Sequence, residues 1–426
     1  MSPDPGFSIN IDQNRYLPEG GKEVHAIVTV ESAGRATAGP STATVSVVII
    51  IDTSGSMAGS TKMSAAKKAA SAAVDALRDG VGFAVVAGTG NAELIYPRAG
   101  LATVNARTRA DAHTAIGRLR ANGGTAIGAW LRLADRLLSG AEAGIRHAIL
   151  LTDGQNGESA KTFDKALADC EGRFVCDCRG VGTDWKVEEL RRVASTLLGT
   201  VDIVAKPNDL TADFQAMIEA AMGKEVADVV LRVWTPQNST LRFLKQVLPT
   251  VEDLTGRRAD GGPLAGDYPL GAWGAESRDY HLCVEVPPGE VGREMRAGWA
   301  KLVIGGEVVA TGNILAEWTD DEALSTRINP HVAHYTGQAE LASAIQEGVQ
   351  ARKDGNVEVA TARLGRAVKL ATESGNEAIS ALLGKVVDVE DPATGTVRLK
   401  KNVDKADEMS LDTRSTKTVR TRKDQG

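Results

Sequence analysis

The chain has 426 residues, 42% hydrophobic and only 4% aromatic, with 49 basic against 55 acidic residues and a net charge of −6. That length holds two or three domains with ample core, and the mild acidity argues against a nucleic-acid binder recruited by bulk charge. No apolar run approaches the roughly 18 residues needed to cross a bilayer, and the opening MSPDPGFSIN has no basic stretch leading into an apolar one, so neither membrane insertion nor a signal peptide is expected. Four cysteines exclude a disulfide scaffold and suit a reducing, cytoplasmic setting.

Residues 1–42 hold one strand candidate, 22–31 (KEVHAIVTVE), where apolar and polar positions alternate. It lacks a local partner and is expected to pair into a β domain further along. Residues 33–41, rich in Ala, Gly, Thr and Pro, read as a linker. The character then changes. The run VSVVIII at 45–51 is nearly continuous and β-branched, as in parallel strands covered on both faces. A helix is expected at 62–78, strands at 82–87 and 93–96, helices at 105–120 and 127–138, and a strand at 147–151 (HAILL). Further alternation follows through a helix at 163–170, a strand at 173–179, a helix at 187–198, a strand at 201–204 and a helix at 210–222. This spacing predicts a doubly wound, Rossmann-like α/β domain over 43–222, with ligands at the carboxyl ends of the strands.

From 223 to 325 the helices stop. Strands at 228–234, 240–248, 279–286, 298–304 and 307–316, with a Gly/Pro-rich loop at 255–274, predict an antiparallel β-sandwich. Residues 326–385 turn helical and break at Asp354-Gly355 and Ser374-Gly375, a short helical segment like a tetratricopeptide pair. Residues 386–426 read as a two-stranded ribbon and a flexible basic tail.

The chemistry concentrates after the most hydrophobic strand. In Asp52-Thr53-Ser54-Gly55-Ser56, alternate residues offer hard oxygen donors on a tight strand-to-helix turn. The loop Asn122-Gly123-Gly124-Thr125 adds a hydroxyl before a helix, and Asp153 ends the strand HAILL. All three stretches fall at carboxyl ends of central strands and can converge on one cation. Mg²⁺ suits such a set, since it takes about six oxygens and keeps several waters; Mn²⁺ accepts the same donors. The plainer reading is a helix N-cap. Capping explains one of these oxygens, not five from three separate stretches.

This pattern resembles the von Willebrand factor type A family and its metal-ion-dependent adhesion site: Asp-x-Ser-x-Ser, a Thr in a GGT loop, and an Asp after a later strand. The match at Asp52, Ser54, Ser56, Thr125 and Asp153 has no departure. The resemblance covers about 43–222 and implies a non-enzymatic binding module or scaffold, whose metal keeps a coordination position for an Asp or Glu of a protein partner. Two other classes are kept. A metal-dependent phosphatase or hydrolase could use the Asp52 crevice, although Ser54 stands where the general acid would be needed. A companion subunit of an AAA+ ATPase is the second; the chain has no phosphate loop of its own. The dinucleotide fingerprint and the G-x-S-x-G elbow are likewise missing from the sequence.

Three cysteines, Cys170, Cys176 and Cys178, read as small apolar strand residues, with a redox role as the lesser alternative. His331 and His334 read as loop histidines. Gly182-Thr183-Asp184-Trp185 suits either the lining of the crevice or a turn with a packed Trp. In the tail, Thr416 and Thr418 lie among basic residues. They are the candidates for modification by a Ser/Thr kinase and recognition by a phosphothreonine-binding protein, against the plainer reading of a solvated tail. The abundance of Gly and Ala suits a GC-rich bacterial coding sequence.

Overall fold

In the computed structural model, which describes residues 6–34, 44–58, 61–141 and 144–420, the chain forms two compact units. One lies within 38–227 together with 271–273; the other draws on 1–37, 228–270 and 274–426. The linker expected at 33–41 lies almost entirely outside the described residues.

The chain opens with three strands, β1 (Phe7–Gln13), β2 (Tyr16–Pro18) and β3 (Glu23–Ala33), where the sequence showed only the last. It then enters the α/β unit. The strands there are β4 (Val45–Asp52), β5 (Gly82–Gly88), β6 (Ala92–Tyr96), β7 (Ala102–Thr103), β8 (Ile145–Thr152), β9 (Val175–Val181) and β10 (Val201–Val204). Six helices alternate with them: α1 (Lys62–Ala76), α2 (Ala106–Gly117), α3 (Ile127–Ser139), α4 (Ala160–Cys170), α5 (Val187–Thr196) and α6 (Leu210–Met222). The sheet runs β10-β9-β8-β4-β5-β6, with β7 also on β5. Strands β10, β9, β8, β4 and β5 are mutually parallel, and β6 and β7 are antiparallel edges. Every residue of β4 is buried, as expected when helices cover both faces. On one face the alanines of α1 (Ala66, Ala69, Ala70, Ala73) share a core with Phe214, Met217 and Ile218 of α6; small side chains let the helix lie close to the sheet.

Register sets the stage for the site. Ile51 of β4 pairs with Leu151 of β8 on one side and Ala87 of β5 on the other. Asp52, Gly88 and Thr152 therefore end their strands at the same level.

The other unit is built on β11 (Val226–Trp234), β12 (Thr240–Leu248), β13 (Glu252–Asp253), β14 (Ala259–Asp260), β15 (Ala265–Trp273), β16 (Ala275–Glu285), β17 (Glu294–Ile304) and β18 (Glu307–Thr319). Two sheets result, β1-β3-β16-β12-β13 and β14-β15-β11-β17-β18-β2. The N-terminal β3 pairs antiparallel with β16 from Glu23↔Glu285 to Ala33↔Ala275, and β2 pairs with β18 in parallel. The sheets face each other where Ile9 and Ile11 of β1 cover Gly312 of β18; a Cβ at Gly312 would lie 2.6 Å from Ile11. The region read as a loop at 255–274 contains β15. Gly266, Pro269 and Gly271 mask a strand whose Tyr268, Leu270 and Trp273 are buried.

Helices α7 (Glu322–Ser325), α8 (Pro330–Lys353), α9 (Val357–Glu373) and α10 (Glu377–Val386) follow, then the ribbon β19 (Val387–Asp391) and β20 (Thr396–Leu399) and a last helix α11 (Lys405–Arg414). The breaks fall at Gly355 and Gly375, both at positive φ, where glycine carries no steric penalty. His331 and His334 sit in the first turns of α8 rather than in a loop, because Asn329 caps that helix and Pro330 takes its first position. Within the described residues, the tail expected to be flexible is instead packed down. Leu411 of α11 joins the core of Leu341, Ile345, Leu364 and Leu383. Beyond α11, Thr418 donates its hydroxyl to the Val247 carbonyl (2.7 Å), and the Thr416 carbonyl accepts from the Val251 amide (2.8 Å). Two apolar anchors in α11, Met409 and Leu411, supply the burial that a polar tail would lack. Residues 421–426 lie outside the described residues. Among the described residues no helix is long and apolar enough to cross a membrane.

Candidate metal centre

The turn after β4 is held by three backbone pairs to two neighbouring segments. The Thr53 amide donates to the Gly88 carbonyl (2.7 Å), the Gly55 amide to Gly123 (2.8 Å) and the Asn122 amide to Thr53 (2.7 Å). Thr125 is fixed in turn, its carbonyl accepting from the Gly157 amide (2.7 Å). The stretches 52–56, 122–125 and 153–157 thus form one laced rim at the carboxyl ends of β4, β5 and β8.

The side chains converge on this rim. Asp52 is fully buried. Its Oδ1 accepts from the Ser54 amide (2.7 Å) and its Oδ2 from the Thr152 hydroxyl (2.5 Å). The Ser54 and Ser56 hydroxyls lie 2.9 Å apart, and Ser56 Oγ donates to Asp153 Oδ1 (2.6 Å). Asp153, also fully buried, accepts from Lys62 Nζ on its other oxygen (2.6 Å), and Lys62 reaches Asp184 at 3.3 Å.

Gly154 shows how closely the donors gather. A Cβ built there would stand 3.0 Å from Thr125 Oγ1, 3.1 Å from Ser56 Oγ and 3.7 Å from Asp52 Oδ2. Donors from two separate stretches, 52–56 and 122–125, thus close around Gly154 of the third, in a small cradle that glycine leaves open. All five expected site residues, Asp52, Ser54, Ser56, Thr125 and Asp153, lie on or beside it.

Electrostatics set the character of the cradle. Burial pushes the Asp52 carboxyl above its ordinary range and the nearby Asp153 charge adds to this, against the hydrogen bonds from Ser54 and Thr152. Burial would lower the Lys62 ammonium, but its hydrogen bonds to Asp153 and Asp184 and their charges outweigh that and raise it. Two close carboxylates at a dry strand end call for positive charge. Lys62 supplies one such charge from within the chain, and the donor set (two carboxylates, three hydroxyls) suits a hard divalent cation.

Thr152, Lys62 and Gly154 are the working residues that sequence reasoning missed. Lys62 left one trace: it occupies the first position of α1, whose first turn has no acid. The helix dipole disfavours a cation there unless a carboxylate beyond the helix holds it. Asp184 faces Lys62, and its neighbour Trp185 is buried and donates to the Gly182 carbonyl (3.0 Å), so both readings of that segment hold. The three cysteines Cys170, Cys176 and Cys178 are buried and free.

Comparison with known proteins bears on the family and the fold. The chain matches the model of the von Willebrand factor type A domain over residues 45–203 and that of the von Willebrand factor type A C-terminal domain over 369–415. A solved structure described as von Willebrand factor type A from Catenulispora acidiphila is 52% identical, covers 99% of this chain and 98% of its own, and superposes with a TM-score of 0.93. The crystal structure of the ArnB paralog VWA2 from Sulfolobus acidocaldarius, 16% identical over 96% of this chain and 98% of its own, shares the fold at a TM-score of 0.58. No curated protein sequence matches the chain.

Proposed function

Since the chain belongs to the von Willebrand factor type A family, we propose that it is a non-enzymatic interaction protein whose crevice at Asp52 holds a divalent cation and, through it, a carboxylate of a protein partner. The observation that carries this reading is the cradle at Gly154, ringed by Thr125, Ser56 and Asp52 oxygens. Asp52, Ser54, Ser56, Thr125 and Asp153 would hold the ion. Mg²⁺ fits best and Mn²⁺ is the alternative. When bound, the ion supplies Lewis acidity toward an incoming oxygen anion. Two protein carboxylates balance a divalent charge without exceeding it, so an Asp or Glu from outside is still attracted.

Hydrolysis finds less support. The residue two positions beyond Asp52 is Ser54, whose hydroxyl is engaged with Ser56, and it is a poor proton shuttle. The four cysteines are buried and free, in keeping with a reducing compartment such as the bacterial cytoplasm. A regulatory role for Thr416 or Thr418 phosphorylation would require release of the strap that the Thr418 hydroxyl and the Thr416 carbonyl fasten to 247–251.

The test is calorimetric titration of Mg²⁺ into the full chain and its Asp52→Ala variant, followed by a Glu-containing acidic peptide. The wild type is expected to take one Mg²⁺ and to bind the peptide only in its presence. The variant should lose both. Equal Mg²⁺ uptake by the two proteins would overturn the reading.

A further inference from the structure

A second donor cluster, of different chemistry, stands on the five-stranded sheet. Glu23 and His25 are two residues apart on β3 and so share a face. Cys283 of β16 pairs directly with His25, and His281 sits two residues further along the same strand on the same face. The Glu23 carboxylate, a His25 ring nitrogen and the Cys283 thiol offer ligand atoms all within 4.8 Å of one another. Among the described residues this is the one group of three or more His, Cys, Asp or Glu side chains that meets this spacing.

The individual distances fit a tetrahedral ion. His25 Nε2 lies 3.9 Å from Glu23 Oε2 and 3.8 Å from Cys283 Sγ. Zinc–ligand bonds of about 2.0–2.3 Å at tetrahedral angles set donor separations of about 3.3–3.6 Å. A contraction of about half an ångström or less brings His25 to its two partners at such separations, and the Glu23–Cys283 pair starts from within 4.8 Å. The other nitrogen, His25 Nδ1, lies 3.1 Å from His281 Nε2. With the proton on Nδ1, His25 donates to His281 and turns the Nε2 lone pair toward Glu23 and Cys283. Metal-bound histidines are generally oriented in this way by a second hydrogen bond. Phe243 packs edge-on against His281 and fixes that ring. The site is reached from the Glu23 end, where the carboxylate is exposed and His25 is half-buried, while Cys283 lies inside.

We propose that Glu23, His25 and Cys283 form a three-ligand site for a borderline-soft divalent metal of the zinc type, with His281 as the residue that positions His25. A fourth position is left to water or to an outside donor, the arrangement of open rather than closed zinc sites. The thiol enters as a thiolate: the S–H bond breaks, the sulfur–metal bond forms, and one proton passes to solvent for each ion taken up. This site differs in kind from the oxygen-lined cradle at Gly154, since Mg²⁺ has no affinity for thiolate and imidazole.

Co²⁺ is the probe, added to the full chain carrying Asp52→Ala so that the oxygen site does not compete. One Co²⁺ per chain is expected, with a thiolate-to-cobalt charge-transfer band in the near ultraviolet. Cys283→Ser should abolish the band. The exposed Glu23→Gln, which spares the interior, should weaken Co²⁺ binding at least tenfold, and His281→Gln about tenfold. If Co²⁺ binds without the band, if the band survives Cys283→Ser, or if Glu23→Gln leaves the affinity unchanged, the proposal falls. The Glu23→Gln result decides the matter even if Cys283→Ser folds poorly.

Discussion

At the scale of single residues, Gly154 is the most informative position. Its backbone carries no positive φ that would forbid a side chain, so alanine is conformationally allowed. The methyl group would nevertheless stand 3.0–3.1 Å from Thr125 Oγ1 and Ser56 Oγ. Gly154→Ala is therefore expected to lower Mg²⁺ affinity at least tenfold while shifting the melting temperature only slightly, as titration calorimetry and a thermal scan would show. A large loss of stability with unchanged Mg²⁺ affinity would mean that this glycine serves packing alone. Asp52, Ser54 and Ser56 stood out in the sequence because hard polar residues follow directly where the β-branched run 45–51 stops, and Thr125 and Asp153 because a Gly-Gly-Thr loop and a later strand end supply two more oxygens in the same order. Thr152 was not legible, since a threonine within a strand usually records β-propensity; its hydroxyl instead steadies Asp52. Lys62 was hidden because its partners, Asp153 and Asp184, lie about 90 and 120 residues away.

At the scale of elements, periodicity read the α/β unit well, since long buried runs and three- to four-residue spacing are strong signals. It failed at β15, where glycines and a proline interrupt the alternation, and at β1 and β2, which are too short or too polar to stand out. One joint of the central sheet depends on charge. Asp177 of β9 accepts from Thr200 through both amide and hydroxyl (2.7 Å each) and pairs with His147 of β8 at 2.8 Å. Burial would raise its pKa, yet the hydrogen bond and charge of His147, with Arg179 and Thr200, hold the carboxyl well below the ordinary range. A carboxyl whose pKa is lower when folded stabilises the protein above its unfolded value and loses that contribution as pH falls toward the folded value. Wild-type stability should therefore drop as pH falls from about 4 to about 2. Asp177→Asn should cost about 2 kcal/mol at neutral pH and flatten that acid limb. Denaturant titrations at several pH values give both quantities, and an unchanged acid limb would refute the assignment.

At the scale of the whole molecule, one unit is assembled from both ends of the chain, with the α/β unit inserted between β3 and β11. Residues 22–31 hinted at this, because a half-buried strand with no neighbour must find a partner elsewhere. Nothing in the pattern hinted that the C-terminal stretch packs down, since α11 is mostly polar and Met409 and Leu411 are its apolar anchors. Deleting 405–426 uncovers the core around Leu341, Leu364 and Leu383. Each lost large apolar burial is worth about 1.5–3 kcal/mol, so calorimetry should show a clearly lowered transition. Mg²⁺ affinity should be unaffected, because every donor of the oxygen cradle lies within 38–227. A truncated chain that melted like the full one would show that α11 is dispensable.

The amine of Lys62 resting on Asp153 has a consequence for how such a protein can be switched. A built-in counter-ion lets the crevice keep its shape through changes in ionic surroundings, so the incoming ion need not act as a rivet for the fold. An ion proposed for Asp153 would meet the Lys62 amine already on that carboxylate, 2.6 Å away, and would have to displace it.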